Sequence, residues 1–126
     1  SAHTRSDSVS TAAARLTEAM ALHPELVAGG TRACTELMRA MGGRTAIKTG
    51  AEAFYVAILP EQQLGIALKI ADGTTRGAEC AIAALLVRAG VLDANHPATL
   101  KRMIAPITNW RGTLTGYIRP AAILLA

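Results

Sequence analysis

Aromatic side chains are scarce: the 126 residues hold two Tyr, one Trp and one Phe. Four rings are too few for a base-stacking platform of the kind that binds single-stranded nucleic acid. The formal net charge of +4 would favour an anionic partner only if the cations clustered on one face. They do not cluster. The longest basic runs are the pair Lys101-Arg102 and, more loosely, Arg39 with Arg44, so no nucleic-acid partner is expected. Cysteine is nearly absent too. Cys34 and Cys80 lie inside apolar patterns with no CxxC or Cys/His ligand spacing, which predicts buried thiols and no metal site built from this chain. Long hydrophobic runs are also missing. None approaches the ~20 residues that span a bilayer, so no membrane partner is expected. With no secretory signal pattern, this favours a cytoplasmic location. The closing Ala121-Ala122-Ile123-Leu124-Leu125-Ala126 is too short to anchor anything and should pack on its own domain or on a partner.

What is abundant is apolar aliphatic sequence, 51% of the chain, enough for one core and one domain over residues 1–126. Residues 1–8 are small and polar and read as a loop or linker leading to a helix cap at Ser6 or Ser8. Val9, Ala13, Leu16 and Met20 recur at helical spacing until Pro24 stops the pattern. After Gly29-Gly30, Thr31 is the expected cap of a second helix, with Cys34, Leu37, Met38 and Met41 at i, i+3, i+4, i+7 and Gly42-Gly43 at its end. The period then becomes extended, predicting strands over 44–49, 54–59 and 64–70, the last two joined by a Pro60-Glu61-Gln62-Gln63 turn as antiparallel neighbours. Their nearly continuous apolar runs predict a sheet covered on both faces. Helices should follow over 75–89, led in by Asp72-Gly73-Thr74 and closed by Gly90, and from Asn95 or His96 with Pro97 in the first turn. Residues 113–119 alternate enough for a last strand. Runs of helices and of strands, without βαβ alternation, define an α+β class: an antiparallel sheet covered by helices.

Chemistry could sit at Lys48, one of only three lysines, flanked by Ile47 and Thr49-Gly50-Ala51 at the end of a predicted strand. An ammonium there is costly unless it faces a cleft or a carboxylate. A strand-borne Lys-Thr-Gly marks the penicillin-binding and serine β-lactamase sites, where lysine flanks the nucleophile and glycine lets substrate approach the backbone. A lone tripeptide is equally compatible with an edge-strand lysine in solvent.

Its surroundings carry more. Arg32-Ala33-Cys34-Thr35-Glu36-Leu37-Met38-Arg39-Ala40, then Lys48-Thr49-Gly50-Ala51-Glu52-Ala53-Phe54-Tyr55, then Leu64-Gly65-Ile66-Ala67-Leu68-Lys69-Ile70-Ala71-Asp72-Gly73 resemble consecutive blocks of the Rhizobium-type L-asparaginases. His23-Pro24-Glu25-Leu26-Val27-Ala28-Gly29 resembles the preceding block, and Asn109, Gly112, Gly116, Arg119 and Pro120 the closing one. The resemblance implies a fold related to serine β-lactamases and glutaminases, two Ser-Lys pairs, and hydrolysis of L-asparagine to L-aspartate and ammonia; the hydrophobic content and apolar tail predict a homo-oligomer. The resemblance also implies that Lys48 is the strand-borne catalytic lysine, with Thr49 and Gly50 shaping the substrate pocket. A lysine desolvated near other cations can accept a proton from serine. Such a lysine is expected at the end of a central or near-central antiparallel strand, with helix 75–89 packed across the sheet. An outer-edge Lys48 facing bulk water would contradict the Ser/Lys fold.

The departure from the family is large. Its nucleophile lies in a Ser-x-x-Lys turn near the N-terminus of a protein more than twice this long, with cysteines and a lysine that bind a metal in some members. Here Ser1, Ser6, Ser8 and Ser10 are followed three positions on by Thr4, Val9, Thr11 and Ala13, so no Ser-x-x-Lys exists. The resemblance therefore implies the C-terminal part of a longer asparaginase, inactive alone, with any zinc held by residues outside this chain. The competing readings are a non-catalytic α+β association module and another Ser/Lys amide hydrolase, such as a glutaminase. Lys69, Asp72 and Gly73 recur in the family pattern but read as structural, Asp72-Gly73 as a turn before a helix. Glu52 could orient Lys48 or face solvent. Arg119 reads as a solvated arginine, and His3, His23 and His96 as loop or cap residues.

Overall fold

A computed structural model describes the backbone of residues 2–126 and the side chains from residue 7 onward. Ala2–Leu22 forms α1. The loop expected over residues 1–8 is therefore helical from Ala2, because no glycine or proline interrupts the sequence before Pro24 and nothing obliges the helix to start at a serine. The apolar positions Val9 and Leu16 are exposed, and among the described side chains of α1 only Ala21 near the helix end is buried. Pro24 ends the pattern as expected but also opens a short α2, Pro24–Ala28, where its missing N–H costs nothing.

α3, Ala33–Ala40, bears out the periodic reading: Cys34, Leu37, Met38 and Met41 are all fully buried. Its cap is Arg32 rather than Thr31, with no side-chain cap bond. Gly42 and Gly43, at φ 65° and 77°, turn the chain into β1 (Ala46–Gly50). β2 (Phe54–Leu59) and β3 (Leu64–Lys69) complete an antiparallel sheet of order β1-β2-β3. In β2, Tyr55, Ala57 and Leu59 are buried, while Phe54 and Ile58 are 39% and 44% exposed. The sheet is thus fully covered on one face and only partly on the other, where α1 packs at β1 and buries Ala46. An apolar run shows that a strand is suited to burial on both sides; it does not say that its own chain supplies both covers.

The inner face packs on α3 and on α4 (Thr75–Arg88), and α5 (Pro97–Met103) docks beside them. Ala78, Ile82 and Leu86 of α4 join Leu37, Met38, Ile47, Tyr55 and Leu59 in one core cluster. Each large side chain there contributes about 1.5–3 kcal/mol over an exposed position. The helix ends follow the sequence. Asp72 Oδ1 accepts from the Thr74 amide at 2.9 Å and its hydroxyl at 2.7 Å, and His96 caps α5 by accepting from the Ala98 amide at 3.1 Å. The hydrogen bonds from Thr74 hold the Asp72 carboxyl below its ordinary value.

Ala105–Thr108 forms β4, which the sequence did not announce because Pro106 cannot donate to a ladder. It is tolerated in a two-stranded ribbon with β5, Leu114–Ile118, where the expected last strand lies. Trp110 stands fully exposed at the ribbon's tip, and the Arg119 guanidinium lies 5.3 Å from the Tyr117 ring. The tail forms α6, Ala122–Leu125, which packs on α4. Among the described residues no helix is long and apolar enough to cross a membrane.

Candidate active site

Lys48, Thr49 and Gly50 are the last three residues of β1, opposite Val56, Tyr55 and Phe54 respectively. Side chains alternate across a strand, so Thr49 shares the inner face with Tyr55, while Lys48 and Gly50 share the open face with Val56 and Phe54. Lys48 is exposed, and its Nζ donates to the carbonyl of its neighbour Thr49 at 2.9 Å. The expectation of a central strand is overturned: among the described residues β1 is an outer strand. The reason is that the chain forms only a three-stranded meander here, and β4 and β5 pair with each other instead of extending it. The companion expectation holds, since α4 packs across β2 and β3. An exposed Lys48 on an outer strand is the arrangement that contradicts a Ser/Lys fold completed within the described residues.

Gly50 has a steric reason to be glycine. A Cβ there would lie 3.0 Å from Phe54 Cδ1, so any side chain would displace the ring. The Thr49 hydroxyl reaches the carbonyls of Phe54 and Gly50, each at 3.3 Å, which ties the strand end to the start of β2. Beneath it, Cys34 lies against the Thr49 backbone and Tyr55; burial pushes both the thiol and the phenol up, so neither ionises near neutrality. Cys80 is likewise a buried free thiol, raised by burial.

The turn joining β1 to β2 is unusual. Glu52 and Ala53 sit at φ 57° and 58°, a region that costs an L-residue about 1–2 kcal/mol. Two contacts hold it. The Ile70 amide donates to the Ala53 carbonyl at 3.2 Å, and Lys69 Nζ donates to the Glu52 carbonyl and meets its Oε2 at 3.3 Å. Glu52 therefore engages Lys69 rather than Lys48. Behind the turn Gly73 at φ 73° brings its position within 4.0 Å of the Glu52 Cα.

A second polar cluster escaped the sequence reading because its members lie far apart in the chain. Glu36 of α3 pairs with Arg102 of α5, which is almost wholly buried, and with Lys101 Nζ at 3.0 Å; Glu79 of α4 lies 3.9 Å from Arg102 Nε. Burial pushes the Glu36 carboxyl up, but hydrogen bonds from Lys101 and Arg102 outweigh it and hold the group below its ordinary value. The signal available in sequence was an acidic residue on an otherwise apolar helix, with Lys101-Arg102 as its complement. No three His, Cys, Asp or Glu side chains among the described residues come together as metal ligands.

Fold and site together define an α+β protein with a Lys-Thr-Gly strand end on an open sheet face. A family model of L-asparaginase II matches residues 1–120, and the chain belongs to this family. Membership places it among asparaginase-type hydrolases, whose substrate is an amide such as asparagine. No curated protein matches the chain.

Proposed function

We propose that this chain supplies the lysine-bearing sheet of an asparaginase that hydrolyses L-asparagine to L-aspartate and ammonia by Ser/Lys chemistry. The observation that carries the proposal is the family match over residues 1–120 together with the Lys48-Thr49-Gly50 strand end. Lys48 is the group that takes the serine proton, and the backbone edge of Thr49 and Gly50 forms the wall against which the amide lies, the Thr49 side chain facing inward. The nucleophile must come from outside this chain, because no serine here is followed by a lysine at the third position. A segment bearing it would pack along the outer edge of β1, where it would withdraw Lys48 from water and replace the Thr49 carbonyl as its partner. Burial beside the serine hydroxyl is the placement a general base needs. The exposed apolar residues of the sheet and of α1 support a homo-oligomer, and two free buried cysteines suit a reducing cytoplasm.

One observation favours a second reading. Lys48 is solvated on an outer strand, with its own neighbour's carbonyl as partner, as in a non-catalytic association module that retained the sheet. Ammonia release from L-asparagine by the full-length protein separates the two: an asparaginase releases it at an enzymatic rate, and a module does not.

A further inference from the structure

Lys69 and Lys48 both project on the open face of the sheet, but only Lys69 is anchored to a strained piece of backbone. Its strand position is fixed by the pairing of Lys69 with Phe54, whose other neighbour across the ladder is Gly50. From there its ammonium reaches the carbonyl of Glu52, the first of the two left-handed residues in the turn that ends β1. The Glu52 carboxylate is also within 3.3 Å, but it is largely exposed and adds little. The bond to the carbonyl is the discriminating one. If Glu52 relaxed to an ordinary negative φ, its peptide would rotate and carry that oxygen away from Lys69, so the bond exists only in the strained conformation. Ala53 is in the same position, since the Ile70 amide reaches its carbonyl only while the residue stays left-handed.

The consequence reaches the strand end. Phe54 follows the turn, pairs with Gly50, accepts from the Thr49 hydroxyl through its carbonyl, and places its ring where a Gly50 Cβ would stand. A relaxed turn would move Phe54 and with it the surface formed by Thr49 and Gly50. We infer that Lys69 is a positioning residue: it clamps the left-handed Glu52 and Ala53 turn and thereby sets the substrate-facing geometry of Thr49 and Gly50. The inference rests on the proposed asparaginase reading for its catalytic consequence and on the turn geometry for its structural one.

The test uses the full-length protein and its Lys69→Met variant, which keeps the aliphatic stem and removes the ammonium. Amide exchange over residues 51–54 should accelerate at least ~10-fold, with the rest of the sheet unchanged. KM for L-asparagine should rise about 5-fold while kcat stays within about 2-fold, the signature of lost substrate positioning rather than lost chemistry. Lys69→Arg, which can still donate to the Glu52 carbonyl, should restore both. Adding Glu52→Gly to Lys69→Met should recover most of the KM change, because glycine adopts the left-handed conformation without the strain that the clamp opposes. Unchanged exchange at the turn overturns the clamp. Faster exchange with an unchanged KM overturns its role in positioning substrate, as does an equal fall in kcat with a lowered Tm. If the unmodified protein releases no ammonia from L-asparagine, the asparaginase reading falls, and the exchange result alone decides whether Lys69 holds the turn.

Discussion

Glu36 and Arg102 form an ion pair that ties α3 to α5 across the edge of the core, with the guanidinium almost wholly buried and the carboxylate about three-quarters buried. A pair so placed is costly to break from one side, because the buried Arg102 then keeps only Glu79, 3.9 Å from its Nε, as a carboxylate partner. Glu36→Gln should therefore destabilise the fold by about 3 kcal/mol, read from denaturant midpoints at neutral pH.

The same pair sets an acid limit. The folded Glu36 carboxyl lies below its ordinary value of 4.5, so its contribution is fully present above that pH and is lost as pH falls through the lower folded value. Unfolding midpoints of the unmodified chain should drop in that acid window, and the Glu36→Gln variant should show a shallower drop there. Parallel acid profiles for the two proteins would show that Glu36 is not the group responsible.

The open face of the sheet makes a prediction about association. Phe54 and Ile58 are exposed on it, Val9 and Leu16 are exposed on α1, and a groove of about 590 Å³ runs between α1 and the Ile58 and Pro60 positions. A chain with this much uncovered apolar surface should self-associate to hide it. Sedimentation of the isolated 126-residue chain should show species larger than monomer, reduced by Ile58→Lys. A monodisperse monomer at high concentration would contradict this.

Gly50→Ala offers a narrower test of the strand end. The added Cβ meets the edge of a half-exposed ring that can swing aside, so stability should change by no more than about 1 kcal/mol. The displaced Phe54 ring should nonetheless raise KM for L-asparagine in the full-length protein with little change in kcat. An unaltered KM would remove Gly50 from the substrate wall.

The pattern of success in the sequence reading has a physical basis. α3 was legible because four apolar residues at i, i+3, i+4, i+7 have one solution, a helix with that stripe in the core, and the coordinates bury all four. The β2–β3 hairpin was legible because Pro60-Glu61-Gln62-Gln63 interrupts two apolar runs at turn length. The same apolar runs misled about coverage, since Phe54 and Ile58 are apolar yet open. Ser6 and Ser8 misled as caps because serine is preferred at helix starts without being confined to them. Within the candidate site, Lys48-Thr49-Gly50 was visible as a motif at a strand end. Its edge position was not, because strand order depends on which other strands join the sheet. Lys69 was visible only as a family-pattern residue. Its bond to the Glu52 carbonyl depends on two non-glycine residues, Glu52 and Ala53, adopting positive φ, for which the sequence holds no glycine signal.

The role of Lys48 is tested most directly by kcat for ammonia release from L-asparagine in the full-length protein and its Lys48→Met variant. Methionine keeps the stem and removes the proton acceptor, while the solvated position of Lys48 on β1 means that folding should be little affected. If Lys48 takes the serine proton, kcat should fall at least ~100-fold, far beyond the effect of Lys69→Met on the same sheet. A Lys48→Met enzyme with near-normal kcat, or equal losses in the two variants, would contradict the assignment of Lys48 as the general base.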